Sequence, residues 1–403
     1  MSTKLLIILG ALLALSLPAS GTTYTIRPDG TGDFPTITGA IDLAEDGDVI
    51  ELTDGVFTGT GNRDIDFGGR AIAVRSQSGN AESCIIDCEG GPGNPHRGFI
   101  FQTGEGTGSV VEGITIRHGW AEAYGGGVYC ADDVSPTFID CIFSKNESAY
   151  GGGMRGGSSS VLTRCAFVEN TAVRGGGIGR GPCLELNNCS FERNSATYGG
   201  GIYIRSNCSP TLICCMFEDN TAAHSGGGMH IEQHCSPLLG ACTFVGNTAP
   251  IGAAIDISIE CSPRIANCTI VENTCTYSGA VSVFEYCTPR LENTIIAFNA
   301  TGQAVTAYDG GVKLVCCDVY GNGGGDWVGT IADQLGLEGN ISEDPLFCGD
   351  EYPQEPYTLH WYSPCSPETN PACGFIGAWD LRCGFVPVEE MSWGALKALY
   401  RTQ

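Results

Sequence analysis

Gly199–Ala222 reads GGGIYIRSNCSPTLICCMFEDNTA. Ile202 and Ile204 alternate with Tyr203 and Arg205, the pattern of a half-buried strand, while Leu212, Cys215 and Phe217 supply further apolar positions. Ser209-Pro210 and Asn220-Thr221 punctuate turns. The segments are too short, and too rich in Gly, Pro and Asn, to be helices. Both ends of the stretch recur. Gly-Gly-Gly stands at 125, 151, 175, 199 and 226, then fades to Gly-Ala-Ala at 252 and Gly-Ala at 279, at spacings of 24 to 27 residues. Phe-x-x-Asn stands at 143, 167, 191, 217 and 244 and continues as IVEN at 270, IAFN at 296 and VYGN at 319. A period of that length marks a solenoid, whose units bury their apolar face only against their neighbours. Three short strands and three corners per repeat predict one coil of an all-β parallel β-helix.

Stacked coils lie about 4.8 Å apart, so like residues sit on like. Val128, Met154, Ile178, Ile202, Met229, Ile255 and Val281 fill one inward column; Phe138, Leu162, Leu186, Leu212, Leu239, Ile265, Leu291 and Leu314 fill another. The position before the Asn reads Lys145, Glu169, Arg193, Asp219, alternating in sign as neighbouring coils require. The Asn column from Asn146 to Asn322 is read as an amide ladder, with Asn itself taking the left-handed corner conformation.

The chain has 22 cysteines. Cys141, Cys165, Cys189, Cys215, Cys242, Cys268 and Cys317 lie two residues before the Phe position, with Thr294 filling the gap, and Cys208, Cys235, Cys261 and Cys287 precede Ser-Pro or Thr-Pro. These files lack metal-ligand spacing and read as buried packing or rung-to-rung disulfides. Cys348, Cys365, Cys373 and Cys383 fall outside the repeats and are the candidates for ordinary disulfides.

An apolar run from Leu5 to Leu17 after Lys4, followed by Pro18 and small residues, predicts a signal peptide over 1–21, and hence export to the outside or the surface of a bacterial envelope. No transmembrane segment is expected in the mature chain. The formal charge of −25 excludes nucleic acid and disfavours polyuronate. Carboxylates in this number are compatible with calcium, although no complete calcium loop is present.

The pairing of Gly-Gly-[Ala/Gly]-[Ile/Val/Met] with Phe-x-x-Asn over residues 125–322 resembles the repeats of polymorphic outer membrane proteins, adhesins with a right-handed β-helical passenger. The stretch IRPDGTGDFPTITGAIDLAEDGDVIELTDGVF, from Ile26 to Phe57, resembles the opening of pectinesterases and other pectin-lyase-like proteins. That likeness implies a helix at Thr36–Ala44 capping the open end, which an uncovered sheet edge needs. The catalytic motifs of pectinesterases, polygalacturonases and pectate lyases are missing; His118-Gly119 stands without acids and reads as a turn. DPLF at 344, YTLH at 357, SPC at 363 and IGA at 376 resemble the closing segment of bacterial secreted β-helix proteins. The expected organisation is a cap and first strands over 22–68, repeats over 69–322, a C-terminal capping segment over 323–383, and a linker with a terminal helix or sorting tail over 384–403.

In β-helix enzymes the chemistry sits on outward side chains of one sheet. Here the strand after the glycines presents Tyr129, Arg155, Gly179, Tyr203, His230 and Asp256, with Arg205, Glu232 and Ser258 beside them. His230, Asp256 and Glu232 form the candidate acid–base cluster. Tyr129, Arg155, Tyr203 and Arg205 are the candidate ligand-binding residues, alongside a solvated polar face as the plain alternative. Tyr124, Tyr150, Tyr198 and Tyr277 precede the glycine corners and suit either sugar stacking or shielding of the turn. Two functions follow: a non-catalytic, adhesin-like protein binding an extracellular polysaccharide or cell-surface protein, or a polysaccharide lyase or glycoside hydrolase.

Overall fold

The computed structural model describes residues 21–157, 159–179 and 184–383. The expected signal peptide, apart from its last residue, and the tail over 384–403 lie outside them. Three parallel sheets of 12, 15 and 11 strands run the length of the solenoid. Leu212 pairs with Leu186 and Leu239 in the first sheet, Ile202 with Ile178 and Met229 in the second, and Phe217 with Phe191 and Phe244 in the third. The two inward columns are therefore in register. Phe143, Phe167, Phe191, Phe217 and Phe244 stack with ring centroids 4.5, 4.9, 4.8 and 4.5 Å apart. Each is fully buried, worth about 1.5–3 kcal/mol per side chain in removed apolar surface.

The coil holds four strands where three were expected. One turn runs through Ser195–Tyr198, Ile202–Ile204, Thr211–Ile213 and Met216–Glu218. The first two lie in the same sheet but are separated by the glycine corner, where Gly199 has φ +65°. A Cβ on Gly200 would lie 2.4 Å from the Gly227 carbonyl oxygen, so the corner closes only around glycine. Where the motif has decayed, Gly279 has no positive φ and a single ten-residue strand, Thr274–Val283, runs straight through.

The asparagine ladder is continuous. Asn146 Nδ2 donates to Asn170 Oδ1 at 3.0 Å, and the pattern repeats to Asn299 and Asn322 at 2.7 Å. Each Oδ1 also accepts the backbone N–H of the preceding asparagine, as Asn220 Oδ1 does from Asn194 at 3.0 Å. The left-handed residue, however, is the one before: Lys145, Glu169, Arg193 and Asp219 have φ of 54°, 56°, 51° and 53°. Asparagine is selected for its amide, and the corner strain falls on its exposed neighbour. Lys145 and Arg193 both reach Glu169, at 3.6 and 3.4 Å.

Both cysteine files are buried thiols and form no rung-to-rung disulfides among the described residues. In the second, the N–H of Cys208, Cys235 and Cys261 points at the sulfur of the next coil, at 3.2, 3.1 and 3.1 Å. Disulfides join Cys348 to Cys383 and Cys316 to Cys373, while Cys365 stays free, its thiol 3.2 Å from Asp318 Oδ2. Cys316 was missed because it adjoins the file that Cys317 belongs to.

At the N-terminal end the helix is Ile37–Ile41, shorter than expected, with Thr36 as its N-cap and the Arg70 guanidinium on the Ile41 and Ala44 carbonyls. At the other end Gly329–Gln334 forms a 3-10 turn across the last coil, where Gln334 pairs with Leu314 N and Val312 O at 2.9 Å each. Residues 341–383 then fold back over the outside of the third sheet. Leu359, Cys365 and Ile376 pack there on Val245, Val271, Ile295 and Ala297, and Trp379 Nε1 donates to Thr243 Oγ1 at 2.9 Å. Those coils read TFV, TIV and IIA, apolar on both faces, which is how a doubly covered strand is written. Among the described residues no helix is long and apolar enough to cross a membrane.

Candidate functional site

Tyr129, Arg155, Gly179, Tyr203, His230 and Asp256 occupy one register file, which continues into Ser282 and Thr306. Stacking brings the predicted cluster into contact. His230 Nδ1 lies 2.8 Å from Asp256 Oδ2, and Nε2 lies 3.3 Å from Glu232 Oε2. The Tyr203 hydroxyl donates to Glu232 Oε1 at 2.5 Å, and its ring stacks on His230 at 5.4 Å. Arg205 Nε sits 3.0 Å from Glu232 Oε1 and donates to Gln233 Oε1 at 2.7 Å.

The file is covered. Arg155, Tyr203, His230 and Asp256 are 4, 1, 4 and 4% exposed. The glycine corner is the cause: Gly226 and Gly252, at φ +68° and +56°, curl the preceding strand onto the outward face. A Cβ on either would lie 2.8 Å from the Cβ of His230 or Asp256 respectively. Rings of the corner column add to the cover, with Tyr198 5.7 Å from His230 and Arg174 5.2 and 5.5 Å over Tyr150 and Tyr198. Arg155 is taken up by its own chain, donating to the Cys130 carbonyl and Asp132 and lying 5.3 Å over Tyr129. Glu232 and Arg205, at 17 and 35% side-chain exposure, form the solvent edge.

Burial alone would depress the His230 pKa, but the hydrogen bonds and charges of Asp256 and Glu232 outweigh it and lift the group to about 9. Burial pushes Glu232 up, and the bonds from His230 and Tyr203 more than reverse this, holding it at about 2. Tyr203 is raised by burial and by Glu232. At neutral pH the centre is an imidazolium between two carboxylates, with both ring protons committed. Asp256 Oδ1 is left without a hydrogen-bond partner among the described residues.

Sequence reasoning missed Ser225, whose Oγ lies 2.9 Å from His230 Nδ1. The signal was the 27-residue spacing from Gly199 to Gly226, which inserts a residue and puts Ser225 in register with Tyr198. Ser225 and Asp256 share one ring nitrogen. A Ser–His–Asp relay needs them on opposite nitrogens, so no activated nucleophile results. His118 is a corner residue, at φ 53°, with Gly119 N bonded to Asn146 Oδ1 where an asparagine would continue the ladder. An acid nevertheless reaches it: Asp87 lies 3.1 Å from Nδ1, supplied from the previous coil. Among the described residues no group of three or more His, Cys, Asp or Glu is arranged to hold a metal ion.

The sequence profile described as "Right handed beta helix region" matches residues 48–213 and 179–341. The chain belongs to the right-handed β-helix family. No curated protein sequence matches it. Among solved structures, the pectate lyase Pel9A is similar at 13% identity and a TM-score of 0.46, covering 90% of this chain and 97% of its own. A pectin methylesterase from carrot is similar at 14% identity and a TM-score of 0.33, covering 81 and 90%. The family gives the architecture of a right-handed β-helical solenoid and leaves activity to the residues of this chain.

Proposed function

We propose that the protein is an exported, non-catalytic β-helix that binds a glycan along its flank at a cell surface, as its likeness to adhesin repeats implies. One observation carries this reading: His230, the centre of the predicted acid–base cluster, is enclosed and held protonated by two carboxylates. A general base must reach its substrate with a free lone pair, and this imidazole has neither access nor lone pair at neutral pH. The cluster then serves as a clamp between coils, and the exposed flank is the surface left for recognition, as in other solenoids. The apolar N-terminal run supports export, and the charge of −25 favours a neutral or cationic ligand.

The test is incubation of the protein with neutral, anionic and amino-bearing polysaccharides, with and without calcium, following both retention and new reducing or unsaturated ends. Retention without products is expected. Turnover that disappears in His230→Ala would replace this reading with a lyase or hydrolase working from His230, Asp256 and Glu232; retention of a surface protein but of no glycan would also refute it.

A further inference from the structure

At several places on the surface a charge meets its opposite on the next coil: Arg164 with Asp140, Arg75 with Glu51, Arg264 with Glu292 and Arg193 with Glu169. The corner after Thr274–Val283 and Thr301–Ala307 has no such pair among the described residues. Beyond the pair Val283 and Ala307 the register carries Phe284 onto Tyr308 and Glu285 onto Asp309, with Tyr286 N donating to the Asp309 carbonyl at 2.7 Å. Glu285 and Asp309 are exposed, of like sign and one coil apart, and neither carboxylate has a partner among the described residues. Like charges so placed repel. The rings beside them are also left in water. Tyr286 is 76% and Tyr308 52% exposed, and Phe284 stacks on Tyr308 at 5.2 Å.

Two local costs at one corner, unpaired carboxylates and exposed rings, are offset by what they do together. A ring face flanked by carboxylates recognises an ammonium group, through the ring quadrupole and charge-assisted hydrogen bonds. Resting on the glycan-binding reading above, we infer that this corner binds a polysaccharide carrying free amino groups. The two carboxylates stand one coil apart, about 4.8 Å, close to the length of one pyranose unit in an extended chain. An extended peptide presents like-facing side chains every ~6.7 Å and falls out of step. The net charge of −25 draws such a polycation in from a distance.

The test is calorimetry on the full chain with a glucosamine hexamer, an N-acetylglucosamine hexamer and hexalysine. The amine hexamer binds at least tenfold more tightly than either of the others. Glu285→Gln combined with Asp309→Asn, and separately Tyr308→Ala, each weaken it at least tenfold with an unchanged circular dichroism spectrum. Glu147→Gln, an exposed carboxylate remote in sequence, leaves it unchanged. Equal binding of hexalysine, an equal loss in Glu147→Gln, or unaltered binding in the corner variants overturns the inference. If an acetylated or neutral glycan binds regardless of the corner variants, only this inference falls; if no glycan of any charge binds, the function proposed above falls with it.

Discussion

Replacing Asn220 by alanine tests whether the ladder or the apolar columns hold adjacent coils in place. Asn220 is fully buried and makes four side-chain hydrogen bonds: Oδ1 accepts Asn194 N and Nδ2 at 3.0 Å each, and Nδ2 donates to Phe191 O at 2.8 Å and Asn247 Oδ1 at 3.0 Å. Two of the four partners keep another bond. Asn194 Nδ2 still donates to Phe167 O, and Asn247 Oδ1 still accepts Asn220 N. The Asn194 N–H and the Phe191 carbonyl lose their amide partner in a space water does not reach. At about 1–3 kcal/mol for each stranded group, the substitution costs about 2–6 kcal/mol. Glu169→Ala, which removes exposed ion pairs, costs about 0–1 kcal/mol. Urea unfolding followed by far-ultraviolet circular dichroism compares them, with amide exchange at Asn194 and Thr221 reporting the local loss, since a solenoid can open coil by coil. A loss in Asn220→Ala no larger than in Glu169→Ala would refute the argument and leave the Phe and Leu columns as the source of register.

Three further outcomes are expected. The His230 pKa, raised from 6.5 to about 9, contributes on the order of 3 kcal/mol; this is fully present below pH 6.5 and lost as pH rises through 9, so His230→Ala should flatten thermal stability between pH 7 and 10, and an unchanged pH slope would contradict the clamp. Gly226→Ala places a methyl at φ +68° and 2.8 Å from His230 Cβ, so a loss of about 2 kcal/mol or more is expected in the same urea assay, and a neutral result would mean the corner does not rest on the file. Cys373→Ser frees the strap over residues 341–383 from Cys316, so limited proteolysis should cut within it earlier than in the parent protein while the repeat core stays intact; simultaneous loss of both would show the strap is integral to the core.

Much of the architecture was legible because a stacked coil repeats its environment, and each inward column from Val128 to Val281 or Phe138 to Leu314 had to be written again in every turn. The same logic placed His230 over Asp256 without any structure, since residues at one repeat position must be neighbours. The fate of that pair was less legible. Whether an outward side chain meets water depends on the path of the backbone before it, and alternation along a strand does not record that path. The fold-back of residues 341–383 was half written, in TFV, TIV and IIA, yet those runs state only that something covers the face.

The one-dimensional pattern set the period, the inward columns, the amide ladder and the vertical neighbours of every side chain, because each follows from in-register stacking alone. Three-dimensional packing decided which polar groups are shut in. The curl at Gly226 and Gly252 turned an expected open cluster into an ion triad enclosed at His230 and Asp256, and the return of the C-terminal segment chose which sheet is covered. The curl acts through the path of the backbone, which alternation along a strand does not record, and the return depends on contacts between segments whose spacing follows no period.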